Sequence, residues 1–212
     1  LFHLQTAKAN GITKEEIAEI ITHAAFYAGW PKAWATFGLA KQVCTEPSEE
    51  ATTTTAQAAK AAAEGKADEA KALALKAAHE AETLFPIGEF NSGYAKYFSG
   101  DSFLYPVSTS QVGIYNVTFE PGCRNNWHVH EAKAGGGQIL VVISGEGYYQ
   151  EFGKPAQRLK AGDVVNIPAG VKHWHGAAKD TWFSHLAVEV PGTETANTWL
   201  EPVSDEDYNK LP

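Results

Sequence analysis

The sequence predicts an α+β chain, in which an N-terminal α-helical segment is followed by an all-β sandwich or barrel. Three observations carry this expectation. Apolar residues recur at helical spacing near the start; a run dominated by Ala, Lys and Glu follows; and from about Phe103 short Val-, Ile-, Tyr- and Phe-rich runs alternate with turn residues. With 212 residues the chain has room for one or two domains of roughly 100–200 residues. The expected divisions are 1–46 for the helical segment, 47–99 for an Ala-rich connector and 100–212 for the β domain.

In the first segment Thr13 precedes Glu16 by three positions, the spacing of a capping box, in which side chain and backbone satisfy each other's free N–H groups. Ile17, Ile20, Ile21 and Ala24 then mark one apolar helix face. Gly29 is read as the end of that helix. Pro31 suits the first turn of the next, where its missing N–H has no partner to lose. Trp34, Phe37 and Gly38 mark a second face. The run 56–84 is rich in the strongest helix formers, with Gly65 as its expected break and Lys76 and Glu80 four apart on one face. Strands are expected over 112–119, 138–143, 147–151, 164–167 and 182–190. The turn signals Pro121-Gly122, Ser144-Gly145, Gly162-Asp163 and Pro168-Ala169-Gly170 fall between them.

Composition narrows the partners. There are 17 Lys and Arg against 25 Asp and Glu, a net charge of −8, which argues against nucleic acid or an anionic membrane surface. No apolar run approaches the ~20 residues of a membrane span and no signal pattern opens the chain, so a soluble, cytoplasmic protein is expected. Cys44 and Cys123 form no CxxC, so neither a redox pair nor a zinc knuckle is indicated. The chain contains no methionine, and residue 1 is read as a cut end.

Of the eight histidines, His128, His130, His173, His175 and His185 fall in the β region. Residues two apart share a strand face, so His128 and His130 point one way together, as do His173 and His175. If both faces are interior, four imidazoles converge. Neutral imidazole suits Zn, Fe, Cu or Ni, and imidazoles packed together without a metal would strand polar nitrogens in an apolar core. A lone HxH on a surface strand is the bland alternative; two such pairs beside Gly and Pro turns are a sharper signal.

The pattern resembles the cupin superfamily. Its first motif reads G-x5-H-x-H-x3,4-E-x6-G. Gly122, His128 and His130 fit, the loop from Ala132 to Gly137 is longer, Gln138 stands where glutamate is usual, and Gly145 closes the motif. The second reads G-x5-P-x-G-x2-H-x3-N. Gly162, Pro168, Gly170 and His173 fit, and Ala177 replaces the asparagine. The resemblance covers about residues 100–190. It implies a double-stranded β-helix barrel and a divalent metal (Zn, Mn, Fe or Ni) on His128, His130, Gln138 and His173, with the three histidines alone as the fallback. A neutral glutamine leaves more positive charge at the site than glutamate would, weakening metal retention and strengthening attraction for anions.

Further candidates surround this set. His175 is either a proton-transfer residue, the candidate general base, or a structural one; His185 is either a substrate contact or a satisfied core histidine. Tyr148 or Tyr149, depending on register, places a hydroxyl in the barrel. Arg124 either clamps a substrate carboxylate or is a solvated surface residue. Trp127 and Trp174 have the opposite parity to the histidines and are expected to pack outside the barrel, against the N-terminal helices or another subunit.

A second resemblance lies at the front. Asn10-Gly11-Ile12-Thr13, Glu15-Glu16-Ile17, His23, Ala25, Tyr27 and Gly29-Trp30-Pro31 are similar to the closing helices of the carboxymuconolactone decarboxylase family, over about 43 residues. That family's peroxidase branch carries a CxxC that is absent here, so thiol peroxidase chemistry lacks its nucleophile. His23 either lines a pocket or packs between helices. Fusions of this kind occur in bacterial proteins, and both families imply a homo-oligomer, a dimer or higher. The expected function is a metal-dependent enzyme on a small organic acid or lactone, of decarboxylase, lactone-processing or dioxygenase type. The rivals are a non-catalytic ligand-binding cupin and a residual peroxidase.

Overall fold

A computed structural model describes residues 2–28, 36, 40 and 49–211. Gly29, Trp30, Pro31, Trp34, Phe37, Gly38 and Cys44, singled out above, lie outside the described residues. The chain divides into two compact units, Leu1–Pro47 and Ser48–Pro212.

In the first unit, helices α1 (Phe2–Ala9) and α2 (Lys14–Ala28) flank the Asn10–Gly11 turn. The capping box forms: Thr13 N donates to Glu16 Oε2 at 2.9 Å and Glu16 N to Thr13 Oγ1 at 3.2 Å. The apolar stripe is narrower than the sequence suggests. Ile17 and Ile21 are buried with Ala40 and pack on Leu4, Ala7 and Ile12, whereas Ile20 is 61% exposed. Ala24 and His23 are exposed as well. The i, i+4 pair is the buried part of the stripe, and Ile20, His23 and Ala24 on its flank are exposed.

The second unit opens with α3 (Glu49–Ala63) and α4 (Ala67–Glu82), which pack on each other. Gly65 breaks the run as expected, at φ +78°. The Ala-rich stretch does more than connect. His79 of α4 is buried against the outer face of the barrel, where its Nε2 meets Ser184 Oγ at 2.7 Å and its Nδ1 meets Ser144 Oγ at 3.3 Å. Thr118 Oγ1 joins Ser184 at 2.7 Å. This explains why Ser184 and Thr118, which alternate with interior residues, are nevertheless fully buried.

Fourteen strands follow: β1 (Glu89–Phe90), β2 (Phe98–Ser99), β3 (Ser102–Ser108), β4 (Ile114–Phe119), β5 (Arg124–Asn125), β6 (His128–Glu131), β7 (Ala134–Gly135), β8 (Gly137–Glu151), β9 (Gln157–Lys160), β10 (Val164–Pro168), β11 (His173–Ala177), β12 (Phe183–Glu189), β13 (Gly192–Thr193) and β14 (Ala196–Trp199). All pairings are antiparallel, and all but β7 and β13 belong to one curled sheet. Strand β8 is its spine. Its first half pairs with β10 and β12, its second with β11 and β9. The bend falls at Gly145, at φ +72°, where an added Cβ would collide with the Trp182 carbonyl oxygen. The glycine closing the first motif is thus required by geometry.

The interior core gathers Phe119, Leu140, Val142, Tyr149, Ile167 and Phe183, with Val117, Val165 and Ala187. Trp174 packs outside, as its parity predicts, but its partners are Tyr148, Val203 and Tyr208 of the C-terminal segment. There α5 (Asp205–Asn209) is capped by Ser204 Oγ, which accepts from Asp207 N at 3.0 Å. Cys123 is buried, and burial drives its thiol pKa upward, away from the reactive range. No described helix is long and apolar enough to cross a membrane.

Burial holds the His79 ring at about 4, below its ordinary value of 6.5. A ring that accepts protons less readily when folded gives stability that is full above 6.5 and is lost as pH falls from 6.5 towards 4. One such group contributes up to about 3 kcal/mol over that window. Urea unfolding from pH 7 to pH 4.5 should show a steeper loss for the native sequence than for His79→Gln; equal slopes would remove His79 from the account.

Candidate metal centre

The two histidine rows meet across neighbouring strands. His173 of β11 is the register partner of His128 of β6, so both side chains leave the same face. Their ring centroids are 4.1 Å apart, and that of His130 lies 5.2 Å from His128 and 5.4 Å from His173. One ring nitrogen from each of the three comes within 4.8 Å of the others.

Tautomers are fixed from behind. The Nδ1–H of His128 donates to the Asn126 carbonyl at 2.9 Å, and that of His173 to the Val171 carbonyl at 2.9 Å. Each Nε2 therefore presents a lone pair. The Nε2 atoms of His130 and His173 are buried and have no partner within the protein, and neither has Gln138 Oε1. Leaving such acceptors unpaired in an apolar barrel costs free energy that a divalent ion removes. Burial lowers the pKa of all three rings: His173 to about 4, with the Val171 carbonyl opposing, and His128 well below 6.5, reinforced by His173. In His130 burial is partly offset by Asn197, Gln138 and Glu189. Neutral rings are the ligating form. The residues present fit a divalent cation held by His128, His130 and His173, with the Gln138 amide oxygen beside them.

His128, His130 and Gln138 line a cavity of about 290 Å³, close to the lower end of the ~300–1,000 Å³ usual for small-molecule sites; His173 adjoins it through His128, with ring centroids 4.1 Å apart. Its apolar wall comes from Tyr94, Phe98, Leu104, Tyr115 and Trp199. Trp199 stacks on His128 at 4.7 Å between centroids and on Tyr97 at 4.7 Å. Strand β14 explains its presence, since Trp199 pairs with His128 and Asn197 with His130 in register.

The remaining candidates separate into two groups. His175 lines the cavity. Asn125 Oδ1 accepts from the His175 backbone N–H at 2.9 Å, which turns its Nδ2 towards the ring, 3.0 Å from Nε2. We assign Nε2 as that acceptor and Nδ1 as donor to His185 Nε2 at 3.1 Å. Burial, with His185 next, keeps His175 well below 6.5. His185, held at about 4 by burial, stands behind His175 and does not line the cavity. It is a core histidine and not a substrate contact. The register puts Tyr149 inside, its ring 5.8 Å from His173, and burial raises its hydroxyl to about 12, so it remains a proton donor at neutral pH.

Tyr148 and Arg124 do not reach the cavity. Tyr148 packs with Trp174 on the outer face. Arg124 is neither a substrate clamp nor a solvated surface residue. It is buried, ion-paired with Asp205, bonded to the Val203 carbonyl at 3.2 Å and stacked 4.4 Å over Tyr208. The contacts that sequence reasoning missed are Asn125, Asn197, Trp199 and Glu189. Glu189 follows His185 and Ala187 at period two, and Asn197 and Trp199 are likewise two apart, so alternation alone could have flagged them.

Comparison with known proteins agrees. Residues 115–189 match the description "Cupin domain" and residues 1–42 match "Carboxymuconolactone decarboxylase family". The chain is 38% identical over 122 residues to (R)-mandelonitrile lyase of Granulicella tundricola, covering 56% of this chain and 90% of that protein. The chain belongs to the cupin family. Among solved structures, this cupin is similar to a cupin-like protein of Thermotoga maritima at 40% identity and TM-score 0.52, covering 60% of this chain and 95% of that one. Its relatives thus include a lyase.

Replacing His130 or His173 by Ala should reduce metal retained after dialysis by more than the roughly 10–100-fold that loss of an outer hydrogen bond costs. Gln138→Glu, which adds a charged oxygen, should retain more than the native protein. Stoichiometric metal in His173→Ala, measured by elemental analysis, would overturn the assignment.

Proposed function

We propose that the barrel is a metal-dependent lyase that breaks a C–C bond at a hydroxyl-bearing carbon of a small, largely apolar compound. The observation that carries this is the grouping of His128, His130 and His173, with two unpartnered buried imidazole nitrogens and the Gln138 oxygen, beside an aromatic-walled cavity that His128, His130 and Gln138 line. Likeness to (R)-mandelonitrile lyase over 90% of that protein supports the reaction class. A small acid held by Arg124 is no longer favoured, because that guanidinium is engaged with Asp205.

In such a reaction the hydroxyl proton leaves, a carbonyl forms, and the C–C bond breaks with its electron pair going to the departing carbon, which then takes up a proton. A bound divalent cation supplies Lewis acidity towards the oxygen on which negative charge develops. The protein's own residues do the remainder. Trp199, Tyr94 and Tyr115 take the apolar part of the substrate and exclude water. Asn125 fixes the His175 ring edge at the cavity wall. The neutral imidazoles of His128, His130 and His173, with the amide of Gln138 beside them, would hold such an ion without cancelling its charge.

The test is release of benzaldehyde from each enantiomer of mandelonitrile by the metal-loaded full chain. Turnover that a chelator abolishes, and that falls at least ~100-fold in His173→Ala, is expected, since catalytic metal and its positioning are worth several kcal/mol. No release above the uncatalysed rate by protein shown to carry metal would overturn the reading.

A further inference from the structure

Two spaces adjoin the three histidines, and they differ in kind. One is the aromatic-walled cavity. The other is an open vestibule of about 460 Å³, whose polar lining is Gln111, Glu131, Glu189, Thr195 and Asn197. His130, Glu189 and Asn197 border both spaces. Of the candidate ligands only His130 reaches the vestibule, and it is half-buried where His128 and His173 are buried. His130 therefore stands between the vestibule and the two deeper rings.

The vestibule carries charge of one sign. Glu131 and Glu189 are both exposed. Glu131 Oε1 accepts from Thr198 Oγ1 at 2.9 Å, which holds it at the rim. The Glu189 carboxylate lies on the vestibule side: a Cβ added at Gly113, which lines the vestibule and not the cavity, would stand 2.5 Å from its Oε2. No lysine or arginine lines the vestibule among the described residues, and Lys133, between β6 and β7, is paired with Glu194 at 2.8 Å.

We propose that the vestibule is the entry port for the metal ion, which Glu131 and Glu189 draw in and pass to His130, while the aromatic-walled cavity serves the organic substrate. This rests on reading the three histidines as a metal centre, not on the lyase reaction. A divalent ion arrives with a tightly held water shell. Stripping that shell against aromatic walls costs far more than exchanging it stepwise for carboxylate, amide and hydroxyl oxygens. A cleft lined by one sign of charge also concentrates the opposite ion and speeds its arrival by roughly 10–1,000-fold. Exposure suits the two carboxylates to this task, because exposed groups meet the ion in solution and release it, whereas a buried carboxylate would compete with the histidines for it.

The test is the rate of metal uptake, read without any substrate. The full chain, freed of metal by a chelator, is mixed with Co²⁺, and the visible absorption of the histidine-bound ion is followed by stopped flow. The double variant Glu131→Gln/Glu189→Gln should take up Co²⁺ about tenfold more slowly or worse at about 20 mM salt, with the gap closing towards about 500 mM, and should still reach the native stoichiometry at saturation. The control Glu64→Gln/Glu69→Gln removes the same charge from exposed positions at the helical hairpin; it should stay within about twofold of the native rate, because salt screens distant charges. Ala196→Trp, which places a large side chain in the vestibule lining, should slow uptake and release by similar factors and leave the amount bound at equilibrium unchanged. A double variant no slower than the control, or native uptake and release in Ala196→Trp, would overturn the port and leave the metal centre standing. Failure of the native chain to bind Co²⁺ would overturn the metal centre, and the port with it.

Discussion

The centre depends on one backbone register, the pairing of His173 with His128 across β11 and β6. Side chains alternate strictly along a strand, so this one pairing decides where both histidine rows point. A slip of a single residue would turn Trp174 and Val129 inward and send the imidazoles out to solvent. Several independent devices hold the register. Glycine at 145 permits the bend of β8, which pairs with β11. Strand β14 clamps the far side of β6. Trp174 gains its burial only when it lies outside, against Val203 and Tyr208. Packing outside the barrel thus enforces chemistry inside it.

The same arrangement explains why the imidazoles are held neutral. Their burial would be costly for charged rings, and the carbonyls of Asn126 and Val171 take the ring protons of His128 and His173. What remains is a set of lone pairs with one direction in common. The alternative, a barrel floor of aliphatic side chains, would be more stable without a ligand. Retention of polar groups here is a cost to folding that a bound ion would offset.

Much of this was legible in the sequence, because it follows from period two. The shared faces of His128 with His130 and of His173 with His175 needed no tertiary information, and neither did the outward turn of Trp174. The capping box at Thr13 was equally local. What failed required knowledge of partners. Arg124 sits in a cupin motif beside the histidines, yet its neighbour Asp205 is 81 positions away in sequence, and only the fold brings them together. Choosing between Tyr148 and Tyr149 needed the register of β8. The Ala-rich helices looked inert because composition hides the one residue that matters, His79, whose contacts Ser144 and Ser184 lie on other elements. Glu189 is exposed, as a lone carboxylate near a strand end usually is; only its pairing with Gln138 shows that it also borders the cavity.

Strand β8 has a mechanical consequence. A single segment of 15 residues carries hydrogen-bonded partners from both halves of the barrel, and it contributes Gln138 at one end and Tyr149 near the other. Neither half can open while the other stays closed unless this segment tears along its length. Opening one half of the barrel therefore disturbs the hydrogen bonds of the other, and the slowest-exchanging amides should fall on both sides of the bend. Traffic of ions and small molecules is left to the rim, where loops can yield without disturbing the frame that aims the imidazoles.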